Sequence, residues 1–508
     1  MATNLSNDEQ FLLDCVTQGE AGLVRYGEKQ LEGSLLWNKG DAYVWDETKR
    51  LWVPMNSSRK STDFFTQTFH AIQDLMAKID RNTDERFKAE KPIVLSLLKK
   101  AISAVTMITK MNGIWNHIQT LLVSEHKLND YSDELPLKGG KKINLRTGEI
   151  SDRTCQDIWT YEIEATGVEC SEQDKADNLK YFEKLCLVNG EVDRELLDYL
   201  QRLCGYWMTF EVSDKAFYLL VGVSDCGKSH LIKRFQTILR QRVTPCSRDV
   251  FVRKGNGKIG DLSNHQTYLL TLTEPVSLVY LQELGEGNVL NSEVVKSLTG
   301  DDLIKFRGAY DRKEKGLEVR CKIVIGSNLM PMLNGGDDGL KTRLRRIPFQ
   351  NKHVGDHIPR AEKIANEEML SRLDQQGGIN ATFAWWLEGA RKVLSDFEAG
   401  ERRLEVPNTI KEVTNEFLSD TDSFKHFLET CCHIWNESSG DKKEDYKYSR
   451  SALQSDFKTF CDSFDYNGIQ RLSKSQIVDR IRQRFPWQKE RGDWIGIRSN
   501  GQLLTLCM

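Results

Sequence analysis

The sequence predicts an α/β fold, a parallel sheet flanked by helices, and three observations carry the prediction. The octet Gly222-Val223-Ser224-Asp225-Cys226-Gly227-Lys228-Ser229 fits the phosphate-loop pattern G-x-x-x-x-G-K-[ST]. It lies between an apolar run at 216–221, which reads as a buried strand, and a segment where Leu231, Ile232, Phe235, Ile238 and Leu239 recur on one helical face. Two more short apolar runs follow, at 268–273 and 321–327, and strands that alternate with helices form parallel sheets.

Each part of the octet has a physical task. The glycines let backbone N–H groups close round phosphate oxygens, and the helix N-terminus adds the positive end of its dipole. Lys228 would reach the β and γ phosphates, and Ser229 would ligate Mg²⁺. The expected ligands are therefore ATP and Mg²⁺. In a parallel sheet, ligands collect at the carboxyl ends of the strands. The run at 268–273 ends in Glu274 and that at 321–327 in Asn328, so both are expected at that edge. If Glu274 is not the acid of the second strand, Glu283 or Glu286 takes its place.

A chain of 508 residues is too long for one core and implies three or four domains. Its 39% hydrophobic and 29% charged residues are those of an ordinary globular protein. A net charge of −3 carries no global signature of nucleic-acid binding, so any such surface must be local. The 12 cysteines lack C-x-x-C spacing and read as reduced thiols without a zinc site; Cys431 and Cys432 fall in an apolar stretch, 424–435, that reads as helix. Asp8 and Glu9 stand close to the first apolar residues, which argues against a secretory signal. No apolar run approaches the roughly 20 residues that span a bilayer. The expectation is a soluble, intracellular protein with no membrane partner.

Residues 1–150 carry hairpin signals at 42–53 and 143–148 with helical stretches between them, including 93–118, and read as an α+β accessory domain. Trp37, Tyr43, Trp45 and Trp52 read as a small aromatic core. Residues 151–210 form a segment that is helical in period from about 175, 211–352 hold the nucleotide-binding core, and 353–410 return to helix. The last segment, 411–508, contains helices and a terminal strand pair, 493–498 with 502–506, and reads as a winged-helix unit.

Several blocks of the core, "LQRLCGYWMTF", "FYLLVGVSDCGKSHLIK", "LLTLTEP", "EVVKSLTGDDLIKFRGAY", "CKIVIGSNLMPML" and "DDGLKTRLRRIPF", occur in an order that resembles the superfamily 3 helicase domain of phage and plasmid primases and poxvirus-type primase-helicases. Residues 22–53 look like that family's N-terminal accessory domain, and "GGINATFAWWLEGARKVL" like its helical lid. The resemblance implies an AAA+ type P-loop ATPase core, assembly into a ring, usually hexameric, with 151–210 as its collar, and 3′ to 5′ translocation on single-stranded DNA. It also implies roles for individual residues. Glu274 orients or deprotonates the attacking water, Asn328 is the sensor, and Arg343, with Arg346 as competitor, is an arginine finger offered to the next subunit. Two features depart from the family. A single acid, Glu274, stands where two are common, and no primase is evident, so a primase or polymerase would be a separate chain.

Two local patches are basic. Residues 305–322 hold seven Lys/Arg against three Asp/Glu, and the family places there a β-hairpin that grips the phosphate backbone, here through Arg312, Lys313 and Lys315. Residues 471–498 hold eight against three and interleave Phe485, Trp487 and Trp494, which suits contact with single-stranded or forked DNA through Arg482, Arg484 and Trp487. The leading expectation is a DNA helicase of a virus, phage or mobile element. A nucleotide-dependent replication scaffold and a remodelling or packaging ATPase are the rivals.

Overall fold

The computed structural model describes residues 5–38, 41–55, 57–84, 88–123, 128–130, 132–252, 272, 274–284, 290–300, 303–306, 315–328, 331, 338–353, 358–420, 423–436, 440–463, 473–485, 487–488 and 492–501. The chain divides into two units, residues 1–143 with 149–163, and residues 144–148 with 164–508.

The first unit opens on two helices, Asn7–Thr17 and Glu20–Leu31; Ser6 caps the first by accepting from the Glu9 amide while the Glu9 carboxylate accepts from the Ser6 amide. The hairpin expected at 42–53 is there, as the strands Asp41–Asp46 and Leu51–Met55 of a three-stranded antiparallel sheet. Trp45 and Trp52 are buried together at 5.7 Å between ring centres, with Tyr43 packed against them, whereas Trp37, expected in the same aromatic core, joins the helical core beside Trp115, because adjacent strand faces point opposite ways. The helical stretch at 93–118 is broken at Met107 into Lys91–Thr106 and Ile108–Leu121. No single described helix is long and apolar enough to cross a membrane; that pair passes on composition only and bends by 85°.

In the second unit, helices α1 (Glu172–Leu185) and α2 (Arg194–Met208) precede a five-stranded sheet. Its strands are β1 (Phe217–Gly222), β2 (Val243–Pro245), β3 (Leu278–Gln282), β6 (Lys322–Ser327) and β7 (Leu344–Phe349), in the spatial order β2-β3-β6-β1-β7 and all parallel. Between β3 and β6 run helix α4 (Ser292–Thr299) and an antiparallel pair, β4 (Ile304–Phe306) with β5 (Lys315–Leu317). Strand β1 is buried on both faces, as a central parallel strand must be. Phe217, Leu219 and Val221 enter one cluster with Val279, Leu281, Ile323, Ile325 and Phe417. Tyr218 points the other way, where Trp207 of α2 meets it at 5.4 Å.

That second face is closed by helix α3 (Lys228–Leu239), followed later in the chain by α5 (Arg360–Leu373) and α6 (Gln376–Glu398). Phe235 of α3 stacks on Trp386 of α6 at 4.0 Å and 8°. Helices α2 and α6 cross where glycines meet: a Cβ on Gly205 would lie 2.0 Å from the Ala390 nitrogen, and one on Gly389 would lie 2.0 Å from the Gln201 carbonyl oxygen. Helices α2 and α6 thus pack on each other as well as on the sheet. Helix α7 (Asn408–Asp420) then lies along β7, and Arg346 of that strand donates to the Val413 carbonyl at 3.0 Å.

Among the described residues of 423–501, three helices, Ser423–Cys431, Arg450–Ser463 and Lys474–Arg484, share a core with a small antiparallel sheet of 447–449, 493–495 and 487–488. Cys431 ends the first helix and Cys432 begins a strand, so the helix expected over 424–435 stops earlier. The strand expected over 493–498 is split at Gly496, whose φ of 90° turns the chain; its expected partner at 502–506 lies outside the described residues.

Candidate nucleotide site

The sheet order brings the carboxyl end of β1 between those of β6 and β7, and the phosphate loop leaves from there. A Cβ on Gly222 would lie 1.9 Å from the Phe349 carbonyl oxygen, so only glycine lets the loop start so close to β7. Gly227 has a φ of 94° and occupies the position before α3, so the first amides of α3 open toward the loop. Lys228 is buried, and its ammonium donates to the carbonyls of Gly222 and Val223, each at 2.8 Å, and to Cys226 Sγ at 3.1 Å. The lysine is thereby folded over the concave side of the loop, where a phosphate would exchange with those carbonyls.

The second motif is where the structure corrects the expectation. Glu274 is an exposed residue in a bend ahead of β3, at the amino end of that strand, and the run at 268–273 that should have placed it lies, apart from Leu272, outside the described residues. The five-residue strand β3 separates Glu274 from the loop's edge of the sheet, a span of roughly 17 Å at ~3.3 Å per residue. Among the described residues Glu283 is the acid at the carboxyl end, and Glu286, the other alternative, lies outside them. Its amide donates to the Gly326 carbonyl at 2.8 Å, continuing the β3–β6 register, and its φ of 62° is unusual for a residue with a side chain. Asn328 follows β6 immediately, as expected from the sequence.

These groups line one cavity of about 510 Å³ that contains Ser224 to His230, Glu283 and Asn328. Its other wall was not legible in the sequence: Tyr181, Lys184 and Leu185 come from α1, and Lys363, Asn366, Glu367, Met369 and Leu370 from α5. Lys184 donates to the Asn366 side-chain oxygen at 2.6 Å and joins the two helices; Asp177 and Arg372 do the same at 2.6 Å. Tyr181 is hydrogen-bonded to His230 Nδ1 at 3.1 Å. Burial holds His230 and His353 below the usual imidazole range and so favours their neutral forms. The amide of His353 donates to the Asp225 carbonyl at 2.9 Å and supports the loop from outside. Leu185 packs against Gly227 of the loop itself, and the loop amides with the apolar Met369 and Leu370 of α5 suit a ligand that has both a phosphate chain and a flat base.

Ser229 and Glu283 present a hydroxyl and a carboxylate to this cavity, and hard oxygen donors of that kind fit Mg²⁺ bound with phosphates. The described cysteines are free, and no cluster of three His, Cys, Asp or Glu that could hold another metal occurs among the described residues.

Arg343 lies in the turn before β7, at the amino end of the sheet, where its carbonyl accepts from the Phe217 amide at 2.9 Å. Strand β1 therefore stands between it and its own phosphate loop, about 20 Å for six residues. Arg346 is committed to α7 through Val413, with Glu416 at 3.7 Å. In the hairpin, Phe306 pairs with Lys315, while Arg312 and Lys313 lie outside the described residues. In the C-terminal patch Arg482 is exposed, but Phe485 and Trp494 are buried in the module's own core and are unavailable to bases. The side chains of Arg484 and Trp487 lie outside the described residues.

No protein-family model matches the chain. Over 337 residues, 65% of its length, it is 21% identical to a protein of Acanthamoeba polyphaga mimivirus named "Putative helicase L207/L206". The chain spans 34% of that protein's length. A solved structure of the NrS-1 C-terminal region aligns with TM-score 0.33 and 12% identity over 51% of this chain and 56% of that one. A second, of residues 305–718 of the same protein, aligns with TM-score 0.33 and 12% identity over 67% and 80%.

Proposed function

We propose that the chain is an ATP-driven DNA helicase of the AAA+, superfamily 3 type, which opens duplex DNA during replication of viral, phage or mobile-element DNA. It works as a ring, a hexamer, and moves 3′ to 5′ on the single strand. The observation that carries the reading is the convergence of the phosphate loop, Glu283 and Asn328 on one cavity at the carboxyl edge of a parallel sheet. Similarity to a mimiviral protein named as a helicase supports the coupling of that site to strand separation.

In this reading the loop amides and Lys228 hold the phosphates, and Ser229 and Glu283 hold Mg²⁺, which neutralises phosphate charge. The Glu283 carboxylate orients and deprotonates the attacking water, and Asn328 hydrogen-bonds that water or the γ phosphate. Arg343 of one subunit reaches the site of the next and stabilises the charge of the transition state, an effect of about 10³ to 10⁵ in rate. An acid beside the loop favours hydrolysis over a scaffold that merely binds nucleotide. The β4–β5 hairpin grips single-stranded DNA through Arg312, Lys313 and Lys315. The 423–501 module is a winged helix that contacts forked DNA through Arg482. A primase or polymerase is a separate chain.

ATP hydrolysis measured with and without single-stranded DNA, followed by strand displacement on duplexes with 3′ or 5′ tails, tests the proposal. DNA-stimulated hydrolysis with displacement from the 3′ tail is expected. Hydrolysis without displacement of either substrate would make the chain a remodelling or packaging ATPase.

A further inference from the structure

Three arginines stand in four residues at the start of β7, and their side chains have different surroundings. Arg346 is taken up by α7. Arg345 turns back: its Nη1 donates to the Thr342 carbonyl at 2.9 Å and to the Leu344 carbonyl at 3.0 Å, the two that flank Arg343. Arg343 is half-buried, and its main chain is tied by its amide to Leu340 at 3.1 Å and by its carbonyl to Phe217. Among the described residues no hydrogen bond or ion pair holds its side chain.

The other edge of the Arg345 guanidinium faces Asp214, with Nη2 and Oδ1 3.8 Å apart; the two side chains are 11% and 0% exposed. Asp214 Oδ2 accepts from the Tyr218 hydroxyl at 2.9 Å, and Tyr218 is Arg345's register partner across the β1–β7 pair. Burial raises the Asp214 pKa, with Arg345 opposing. Neither Asp214 Oδ1 nor Arg345 Nε has a hydrogen-bond partner. A buried pair with such incomplete satisfaction is a poor source of stability. What it does achieve is geometric, since it clamps both carbonyls beside Arg343 to the strand that carries the phosphate loop at its far end.

We propose that Arg345 and Asp214 are positioning residues that fix the turn from which Arg343 reaches the neighbouring subunit's nucleotide. The inference rests on the shared-site reading of Arg343 given above. Catalysis by an outside group depends on its being held in place before the reaction, and a turn free to rotate would lose that advantage.

Mixed rings test it, read beside thermal melting and nucleotide affinity. Arg343→Ala mixed with Lys228→Ala is the control, and recovery of ATPase there establishes the shared site. Without recovery in demonstrably mixed rings, the Arg343 reading itself fails. Given the control, Arg345→Ala is expected to bind nucleotide at parental affinity and hydrolyse at least tenfold more slowly. It should regain activity with Lys228→Ala, which supplies an intact finger, and gain none with Arg343→Ala, which does not. Arg345→Lys, which keeps a donor for one carbonyl, should lose less, and Asp214→Asn should follow the Arg345→Ala pattern. The inference is overturned if Arg345→Ala gains activity with Arg343→Ala, or gains none with Lys228→Ala. If Arg345→Ala does not fold, Arg345→Lys is mixed in the same pairs, and either reversed pattern in it overturns the inference equally.

Discussion

The amide of Glu283 donates to the carbonyl of Gly326 at 2.8 Å, which sets the acid one position beyond the Gln282–Gly326 pair, level with Ser327 and one residue short of Asn328 on the neighbouring strand. Acid and amide therefore arrive at the cavity beside the phosphate loop on adjacent parallel strands, whose relative positions the sheet itself determines.

Glu283→Gln should bind nucleotide and lose turnover by about 10² to 10³, the usual cost of removing one preorganised group from a reaction centre. Glu274→Gln should hydrolyse ATP at close to the parental rate. Steady-state ATPase and nucleotide-binding measurements on the two variants check this, and equal losses in both would remove the reason for preferring Glu283.

The difference between these two glutamates shows where sequence reading stopped. The apolar run at 268–273 leads directly into Glu274 and that at 278–281 into Gln282 and Glu283, and an apolar run alone does not tell which strand pairs beside the phosphate loop. The pairing of Val279 with Ile323 decides it. The phosphate loop, by contrast, was legible because its chemistry demands fixed spacing within one octet, and Asn328 because the strand before it is unbroken. Tyr181 and Asn366 could not be found that way, since α1 and α5 are far apart in sequence and meet only through tertiary packing. Phe485 and Trp494 look like stacking residues in a basic segment. They are core residues because period alone does not distinguish a face that meets its own module from one that meets DNA.

Gly222→Ala would drive a methyl group to within 1.9 Å of the Phe349 carbonyl oxygen. Backbone cannot swing aside as a flexible side chain can, so a loss of about 1 to 3 kcal/mol is expected. A shift of the urea midpoint with unchanged slope would record it.

Arg372 hydrogen-bonds the Asp177 carboxylate and, with Gln173, holds its pKa below the usual range. The folded pKa is depressed, so this stability is fully present above the unfolded value of about 3.9 and is lost as pH falls through the folded value. Arg372 is 41% exposed, so solvent screens the pair and the effect is small. Asp177→Asn should flatten the dependence of unfolding free energy on pH below 4 while changing it little between pH 6 and 8.

Replacing Lys313 and Lys315 with alanine should weaken single-stranded DNA binding equally for all sequences, because phosphate contacts carry no base information. The slope of log affinity against log salt should fall by about 0.7 per lost contact. Binding titrations at several salt concentrations check it, with basal ATPase expected to persist. An unchanged slope would shift attention to the C-terminal patch around Arg482.

Strand displacement on forked DNA, comparing the parental chain with Glu283→Gln, tests the central claim most directly. The account predicts that the parental chain with ATP and Mg²⁺ separates a duplex bearing a 3′ single-stranded tail, and that Glu283→Gln binds the same fork and ATP without separating it. Separation by Glu283→Gln at the parental rate, or no separation by a parental chain that hydrolyses ATP on the same fork, would contradict it.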